Sequence, residues 1–271
     1  MIAVEQLNVT VGNFSLQDVS FSLEVGEYGI LMGRTGSGKT TLLESLCGLK
    51  PISSGRIVID GRDVTRLKPG ARGIGFVPQE GALFQSMVVR DQIGFALEIR
   101  HRPKGEVKSR VEDLAGRLGI TGLLDRSLDG LSGGERQRGA RGRALAAQPT
   151  VLCLDEPFSA LDEETRDDMY QLVRNVTREA GVTTVHITHS RTEAEQLGDR
   201  FFRLGDGRIE PLRLSARRPG DESPVASTAV GSNEIGKAEK ADGPATATGD
   251  GPTPDLEVVR KSWAGMKRIS L

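Results

Sequence analysis

One glycine-rich segment, placed between a short apolar strand and a helical pattern, limits what this chain can fold into more than any other feature. It runs over residues 33–40 as GRTGSGKT, after the predicted strand Tyr28–Met32 and at the start of the predicted helix Lys39–Cys47. A strand, a glycine-rich turn and a helix in this order form a phosphate-binding loop, because glycines let successive backbone N–H groups curl around an anion. The pattern therefore predicts an α/β core that binds a nucleoside triphosphate.

The residues of this loop are expected to hold different parts of the triphosphate. Lys39 is expected to reach the β- and γ-phosphate oxygens, and the hydroxyl of Thr40 is expected to bind Mg²⁺. The predicted phosphate-binding set is Gly33, Arg34, Thr35, Gly36, Ser37, Gly38, Lys39, Thr40 and Thr41. By itself this set indicates nucleotide binding and leaves the use of the nucleotide open.

Short β-rich runs alternate with helical patterns from Met1 to about Leu212, which is typical of an α/β layered domain. The predicted strands are residues 2–9, 16–25, 28–32, 56–59, 74–77, 151–154, 183–187 and 200–204. The predicted helices are residues 39–47, 89–97, 106–118, 132–146, 163–180 and 191–197. A turn at residues 11–13 is expected to join the first two strands as an antiparallel hairpin beside the otherwise parallel core.

The sequence changes character after Leu212. Small, charged, proline and glycine residues dominate, and no Phe, Tyr or Trp occurs between Phe202 and Trp263. Such a segment cannot bury enough apolar surface to offset the entropy lost on ordering. We therefore predict one domain over residues 1–212, a disordered linker over 213–255 and a short amphipathic tail over 256–271. For the tail, a frayed end and a helix that docks on a partner or a membrane surface both remain open.

Charge and cysteine content exclude several classes of function. Lysine plus arginine (36) nearly balances aspartate plus glutamate (37), so the chain has no global field for nucleic acid and we expect no nucleic-acid partner. Cys47 and Cys153 lie far apart in unrelated contexts, which favours two buried apolar side chains in a reducing compartment over a disulfide or a metal site. No leader pattern and no apolar run of roughly 18 residues is present, so we expect a cytoplasmic chain that does not span a membrane.

Two adjacent carboxylates follow a buried strand. The apolar run at residues 151–154 ends in Asp155, Glu156 and Pro157. Asp155 is predicted to hold Mg²⁺, and Glu156 is predicted to polarise an attacking water. An acidic pair in this place is otherwise an ordinary turn onto a surface loop, and the phosphate-binding loop makes the catalytic interpretation the favoured one.

The segment LSGGE at residues 131–135 precedes a basic helix. Ser132 suits the N-cap of that helix, and residues 136–138 suit a solvated basic face. A functional interpretation depends on the order of motifs along the chain, which is Lys39, Gln79, Ser132-Gly133-Gly134, Asp155-Glu156, Asp162 and His189. Six elements in this order leave little room for accident.

This ordered set resembles the ATP-binding cassette (ABC) ATPase family over about Met1 to Leu212. The resemblance implies a P-loop NTPase core of α/β class with an antiparallel β subdomain and a helical signature subdomain. It also implies a head-to-tail homodimer that holds two ATP molecules with Mg²⁺. Each ATP would lie between the phosphate-binding loop of one subunit and the LSGGE segment of the other.

The resemblance further implies a role for single residues, carried over by position. Gln79 would contact Mg²⁺ and the attacking water, and His189 would hold the γ-phosphate. Ser132, Gly133 and Gly134 would bind the γ-phosphate of the other subunit, with the positive end of their helix directed at the nucleotide. Asp162 would lie across the dimer seam.

Within the family, residues 72–79 (RGIGFVPQ) and 82–84 (ALF) resemble ATPase subunits of importers that work with a separate solute-binding protein. The short hairpin at residues 12–14 and Thr35 are most similar to molybdate and tungstate importers, and importers of sulfate, iron and polyamines share most of these features. The resemblance implies a subunit at the cytoplasmic face of the membrane that drives uptake through an integral membrane permease docked at residues 81–87.

Two other functions remain open. One is an exporter ATPase, and the other is a non-transport member of the family that acts on nucleic acid or ribosomes. The second is disfavoured because the interval from Lys39 to Ser132 is too short for a long coiled coil, and because only one cassette is present.

The chain departs from the family pattern in several places. Phe14 is the nearest candidate for an aromatic ring that stacks on adenine, and Ser190 follows His189 where aspartate is usual. Gly139 and Arg141 stand where the family commonly has apolar residues. Interior glycines cost about 1 kcal/mol each relative to alanine, so we expect the helix after LSGGE to be soft.

Overall fold

The structure is a computed structural model that describes residues 1–159, 161 and 163–213, without the side chains of residues 163–165. The predicted linker beyond Arg213, the predicted tail over 256–271 and Asp162 lie outside the described residues. The strands are β1 (Ile2–Val11), β2 (Phe14–Leu23), β3 (Tyr28–Met32), β4 (Ser54–Ile59), β5 (Arg62–Asp63), β6 (Ile74–Val77), β7 (Val151–Asp155), β8 (Thr183–Ile187), β9 (Arg200–Gly205) and β10 (Arg208–Pro211). The helices are α1 (Lys39–Cys47), α2 (Val89–Glu98), α3 (Lys104–Arg117), α4 (Gly133–Ala146), α5 (Glu163–Ala180) and α6 (Arg191–Leu197).

A six-stranded sheet forms the centre of the described chain, with the order β10-β9-β3-β8-β7-β6. Its neighbouring strands are parallel except for β10, which pairs antiparallel with β9. Every residue of β7 and β8 is buried, as expected of parallel strands covered on both faces. Leu31 of β3 and Asp155 of β7 both pair with Ile187 of β8, so the loops that follow these three strands meet at one edge.

A second, four-stranded antiparallel sheet has the order β2-β1-β4-β5. Its apolar side chains form one core together with α1 and one face of the parallel sheet. The opposite face of the parallel sheet packs with α2–α6 in a second core. These arrangements confirm the predicted α/β class with an antiparallel hairpin beside a parallel core.

Helix α4 packs closely on α2, and a glycine makes this approach possible. A Cβ atom at Gly142 would lie 3.0 Å from Cγ1 of Ile93 and 3.2 Å from Cδ1 of Leu118. Ser132 is the N-cap of α4, and it forms a capping box with Glu135. The helix therefore begins one residue later than predicted, at Gly133.

Some local predictions were wrong. Strands β5 and β10 were not predicted, because they are short and carry charged side chains on exposed positions. Cys47 and Cys153 are both buried as expected, but they are not in unrelated contexts. The neighbouring thiol of Cys47 on α1, together with burial, raises the pKa of Cys153 on β7 well above its usual range. Within the described residues, no helix combines the length and apolar character needed to cross a lipid bilayer.

Candidate functional site

The segment at residues 33–38 forms the loop that the sequence predicts between β3 and α1. Gly38 is the N-cap of α1 at φ 95°, and no side chain caps the helix. The first N–H groups of α1 therefore lack intrahelical acceptors and face an anion site with the positive end of the helix dipole. The ammonium of Lys39 is folded onto this loop, where it donates to the carbonyls of Gly33 (2.9 Å) and Arg34 (3.0 Å).

A cleft of about 340 Å³ lies over the loop and the start of α1. The predicted site residues that line it are Thr35, Gly36, Gly38, Lys39, Thr40, Thr41, Gln79, Asp155 and Glu156, and Val11 and Phe14 line it as well. The tertiary structure thus brings residues from the loops after β3 and β7 and from the segment after β6 to one place. The cleft offers backbone N–H groups, an ammonium, hydroxyls, an amide and carboxylates, which is a donor set that suits a magnesium-bound triphosphate.

Asp155 and Thr40 are joined directly across the floor of this cleft. The hydroxyl of Thr40 donates to Oδ2 of Asp155 at 2.9 Å, and Asp155 is only 4% exposed. Burial raises the pKa of Asp155 above its usual range, and the hydrogen bond from Thr40 opposes that shift. A hydroxyl and a carboxylate held side by side at the end of a buried strand can supply two oxygen ligands to a hard cation.

Glu156 and His189 approach each other at the rim of the same cleft. Oε1 of Glu156 lies 3.4 Å from Nδ1 of His189, with 22% and 69% of the respective side chains exposed. Glu156 has a left-handed backbone at φ 43°, which costs energy for a residue with a Cβ. Its N–H donates to the carbonyl of Ile187 at 3.0 Å, so β8 holds the strained turn in place.

Phe14 packs on the phosphate-binding loop. A Cβ atom at Gly38 would lie 2.3 Å from the tip of the Phe14 ring, so only glycine leaves room for this contact. Phe14 also borders a second cleft of about 650 Å³ on the other side of the loop. The predicted residues that line this second cleft are Gly33, Arg34, Thr35, Gly36 and Ser37. The oxygen Oγ of Ser37 is buried and has no hydrogen-bond partner among the described residues.

Ser132, Gly133 and Gly134 do not line either cleft in the described chain. They form the start of α4, where the hydroxyl of Ser132 accepts from the N–H of Glu135 at 3.3 Å. The sequence expectation that residues 136–138 form a solvated basic face was wrong in part, because Gln137 is buried. Asp162, the remaining predicted site residue, lies outside the described residues.

A buried polar group behind the cleft was not predicted from the sequence. The hydroxyl of Tyr28 is hydrogen-bonded to Nδ1 of His186, and Nε2 of His186 lies 2.8 Å from Oε1 of Glu193, close to the loop that carries His189. A histidine within the buried strand β8 was the available sign, because buried imidazoles require partners. The partners themselves come from distant parts of the chain and follow no local pattern.

Comparison with known proteins agrees with this geometry. The sequence profile of the ABC transporter family matches residues 16–159. The chain is 47% identical over 213 residues to the sulfate/thiosulfate import ATP-binding protein CysA of Nocardia farcinica, which covers 78% of this chain and 64% of that protein. It is 44% identical over 225 residues to the molybdate/tungstate import ATP-binding protein WtpC of Thermococcus kodakarensis, which covers 82% and 68%. This chain therefore spans about two thirds of the length of these relatives.

A solved structure has a similar fold. It is an ATP-binding cassette determined as a dimer in a post-hydrolysis state bound to ADP and Pi, and it superposes with a TM-score of 0.69 at 28% identity. The superposition covers 79% of this chain and 99% of that chain. With the sequence matches and the loop, cleft and sheet described above, this chain belongs to the ABC transporter family and has the fold of its ATP-binding cassette.

Proposed function

We propose that this chain is the ATP-hydrolysing subunit of an importer that moves an oxyanion through a separate membrane permease. The observation that carries the proposal is the cleft in which Lys39, Thr40, Asp155 and Glu156 meet beside His189. The names of two relatives, which refer to import of sulfate or thiosulfate and of molybdate or tungstate, support an oxyanion as the solute.

The phosphate-binding loop holds the triphosphate in this proposal. The free N–H groups at the start of α1 bind phosphate oxygens, as at other helix N-termini that follow glycine-rich loops. The ammonium of Lys39 exchanges the carbonyls of Gly33 and Arg34 for the β- and γ-phosphate oxygens, which carry more charge. Ser37 and Thr41 contribute hydroxyls at the two sides of the loop.

Thr40 and Asp155 hold Mg²⁺ in this proposal, with Gln79 beside them. Magnesium in such sites takes one or two protein oxygens and completes its ligands with phosphate oxygens and water. The directly bonded pair of Thr40 and Asp155 fits that requirement. When bound, the ion neutralises charge on the phosphate oxygens.

Glu156 and His189 act on the γ-phosphate end of the nucleotide. Glu156 orients the attacking water and accepts its proton, and Gln79 helps to position that water. His189 donates an N–H to the γ-phosphate, which places a hydrogen-bond donor where negative charge develops. The contact between the two side chains keeps both groups on the same side of the cleft.

The second half of each ATP site comes from another copy of the chain. Ser132, Gly133 and Gly134 do not line their own phosphate cleft, and they lie at the positive end of α4. A head-to-tail homodimer lets them bind the γ-phosphate held by the partner, with Asp162 at the seam. The dimeric form of the similar solved cassette supports this arrangement.

The dimer works on a membrane permease at the cytoplasmic face of the membrane. Residues 81–87 are the proposed docking segment, and the ring of Phe84 is 40% exposed there. The solute-binding protein acts on the permease and contacts this chain only indirectly. Residues 1–212 form the ATP-binding domain in this proposal.

The experiment is an ATPase assay of the full chain with Glu156→Gln. Because glutamine cannot accept a proton, hydrolysis is expected to fall by about 10²- to 10⁴-fold while ATP binding remains. The variant should accumulate as an ATP-dependent dimer in size-exclusion chromatography. Glu112→Gln on the exposed face of α3 is the control and should behave as wild type. Wild-type turnover in Glu156→Gln would remove Glu156 from the catalytic role.

A further inference from the structure

Four polar side chains are buried behind the edge of the sheet that carries the site. Tyr28, Arg141, His186 and Glu193 are between 0% and 5% exposed, and they come from β3, α4, β8 and α6. Burial of charged and polar groups is unfavourable, because they lose their hydration, unless partners compensate it. The contacts that these side chains make are therefore the first indication of what they do.

His186 connects this group to the loop of His189. The hydroxyl of Tyr28 lies 2.9 Å from Nδ1 of His186, and Nε2 of His186 lies 2.8 Å from Oε1 of Glu193. The other oxygen of Glu193 accepts a hydrogen bond from the hydroxyl of Thr188 at 2.8 Å. The oxygen of Thr188 in turn accepts from the N–H of Ser190 at 3.0 Å. The residues on both sides of His189 are thus tied to one buried carboxylate.

Arg141 connects the same group to the turn of Glu156. Its Nη2 donates to the carbonyl of Pro157, the residue after Glu156, at 2.9 Å. Its guanidinium lies over the ring of Phe158 at 4.7 Å from the centroid. The rings of Phe158 and His186 pack edge-on, with their centroids 5.7 Å apart. These contacts place a single arginine of α4 against both residues that follow Glu156.

Hydrogen bonds compensate the burial of the Arg141 guanidinium only in part. Its Nε and Nη1 atoms have no hydrogen-bond partner among the described residues. Burial lowers the pKa of Arg141 to about 10, so the side chain is still charged near neutral pH. A charge retained at such a cost is poorly explained by stability, because an apolar side chain of similar volume is often neutral or better in such a place.

Together with the peptide bonds between neighbouring residues, these contacts form a closed ring of contacts that includes the catalytic pair, Glu156 and His189. In order, the ring runs through Glu156, Pro157, Arg141, Phe158, His186, Glu193, Thr188 and His189, and it returns to Glu156 across the 3.4 Å contact. We propose that Arg141 and Glu193 are positioning residues that set the separation of Glu156 and His189. Because Arg141 belongs to α4, the helix whose N-cap is Ser132, the ring also links the LSGGE segment to the catalytic pair.

The proposal rests on the proposed function for its effect on hydrolysis, but its geometry can be tested without activity. The chain has only three histidines, His101, His186 and His189. The ring signals of ¹⁵N-histidine-labelled full-length protein therefore report on His189 directly, and His101, between α2 and α3, serves as an internal reference. The variants are Arg141→Met, which removes the contact to Pro157, and Thr188→Val, which removes the bond to Glu193. Arg136→Met, at an exposed position of the same helix, is the matched control.

Both test variants are expected to shift or broaden the His189 ring signals and to leave those of His101 unchanged. In the ATPase assay, kcat should fall by about 10- to 100-fold, because small displacements of reacting groups have effects of this size. The KM for ATP should stay within about twofold, and Arg136→Met should match wild type in both measurements. A purely structural role would instead lower the melting temperature and leave His189 unchanged in the folded protein.

The outcomes separate the two proposals. Unchanged His189 signals in both folded variants overturn the positioning role, whatever the ATPase activity. An inactive wild-type protein whose His189 signals still respond to both variants overturns the proposed function and retains the positioning geometry. If Arg141→Met does not fold, Thr188→Val decides the outcome alone, since it replaces one side chain by another of nearly the same shape.

Discussion

Asp155 and Glu156 are neighbours in sequence and have different surroundings. Asp155 is nearly fully buried and accepts from Thr40, whereas the side chain of Glu156 is 22% exposed at the rim of the cleft and faces His189. Two carboxylates in different environments can carry different roles in one reaction. The change of environment within one residue follows from the left-handed backbone of Glu156, which turns its side chain away from the path of β7.

Replacing Asp155 should stabilise the nucleotide-free protein while it removes activity. Burial raises the pKa of Asp155, so the folded state favours the protonated carboxyl. Protonation therefore contributes stability below the usual aspartate pKa, and this contribution is lost as the pH rises through the raised pKa. Asp155→Asn keeps an acceptor for Thr40 and carries no charge. We expect it to melt at a higher temperature than wild type at pH 8, with a smaller advantage at pH 5.

Scanning calorimetry without nucleotide at both pH values measures this effect. Asp125→Asn is the control for loss of an exposed carboxylate, because the Asp125 side chain is 82% exposed. ATPase activity of Asp155→Asn should fall at least about 100-fold, as for other groups that stabilise developing charge. A lower melting temperature than wild type at pH 8 would show that Asp155 stabilises the apo fold.

Helix α4 has a well-capped N-terminus and two interior glycines, Gly139 and Gly142. Its capping box satisfies two N–H groups, since the N–H of Ser132 donates to Oε2 of Glu135 at 2.7 Å and the Glu135 N–H donates back to Ser132. The two glycines have different surroundings. Gly142 lies against α2, whereas the nearest atom to a Cβ at Gly139 would be Cδ1 of Leu83 at 3.9 Å.

The two glycines should respond differently to alanine. Gly139→Ala should raise the free energy of unfolding by about 1 kcal/mol, because helix propensity improves and the space is open. Gly142→Ala gains the same propensity, but its methyl group would approach Ile93 to 3.0 Å, so we expect no net gain or a loss. Urea unfolding of both variants measures the difference. An equal gain in the two variants would mean that α2 yields easily to the added methyl.

The last backbone pairings of the described chain are made by β10 and Leu212. Strand β10 pairs with β9, and the N–H of Leu212 donates to the carbonyl of Phe201 at 2.8 Å. The sequence over residues 213–255 has only a few scattered apolar side chains and no aromatic one, so it offers little surface to bury. These two facts support the proposed boundary of the ATP-binding domain at Leu212.

Ending the chain after Leu212 should therefore leave the melting temperature and the basal ATPase rate nearly unchanged. A second truncation, after Gly207, removes β10 and the last backbone hydrogen bonds to β9, and it should lower the melting temperature clearly. Thermal melting of both proteins beside the full chain provides the comparison. If the Leu212 truncation yields no folded protein, the proposed boundary is wrong.

Mixing two defective variants tests whether each ATP site is shared between subunits. Homodimers of Lys39→Ala and of Ser132→Arg each have two damaged sites. In a mixed dimer, a shared arrangement places both lesions in one site and leaves the other with an intact Lys39 and an intact Ser132. A site built within one chain would leave a lesion in every site of any mixture.

We therefore expect co-assembled Lys39→Ala and Ser132→Arg chains to recover ATPase activity that neither parent has, with up to one intact site per dimer. Formation of ATP-dependent mixed dimers should be measured in parallel with differently tagged chains, because the rate depends on their amount. If mixed dimers form and ATPase activity does not recover, in a background where a single functional site suffices, the shared-site arrangement is wrong.

Local sequence patterns were enough to predict the phosphate-binding loop, β3, α1, α5, β8 and α6 with the bounds that the structure has. Each is either a strongly periodic segment or a glycine-rich turn whose chemistry is set by neighbours in the chain. The order of motifs was also enough to identify the family, because each motif is short and its residues act together. Strands β5 and β10 escaped prediction because pairing with β4 and β9, rather than their own residues, makes them strands.

The chain order therefore determined which chemical groups are present, and the packing of distant segments determined which of them meet. The ring of contacts through Arg141, His186 and Glu193 links residues that are far apart in sequence. The contact of Cys47 with Cys153 does the same. The elements that carry these residues touch only in the folded protein. No local periodicity encodes such contacts, because they depend on the register of parallel strands and on the approach of α4 to the sheet. The separation of Glu156 from His189 is of this kind: two motifs predicted independently lie 3.4 Å apart because β7 and β8 are neighbours whose carboxyl ends face the same edge.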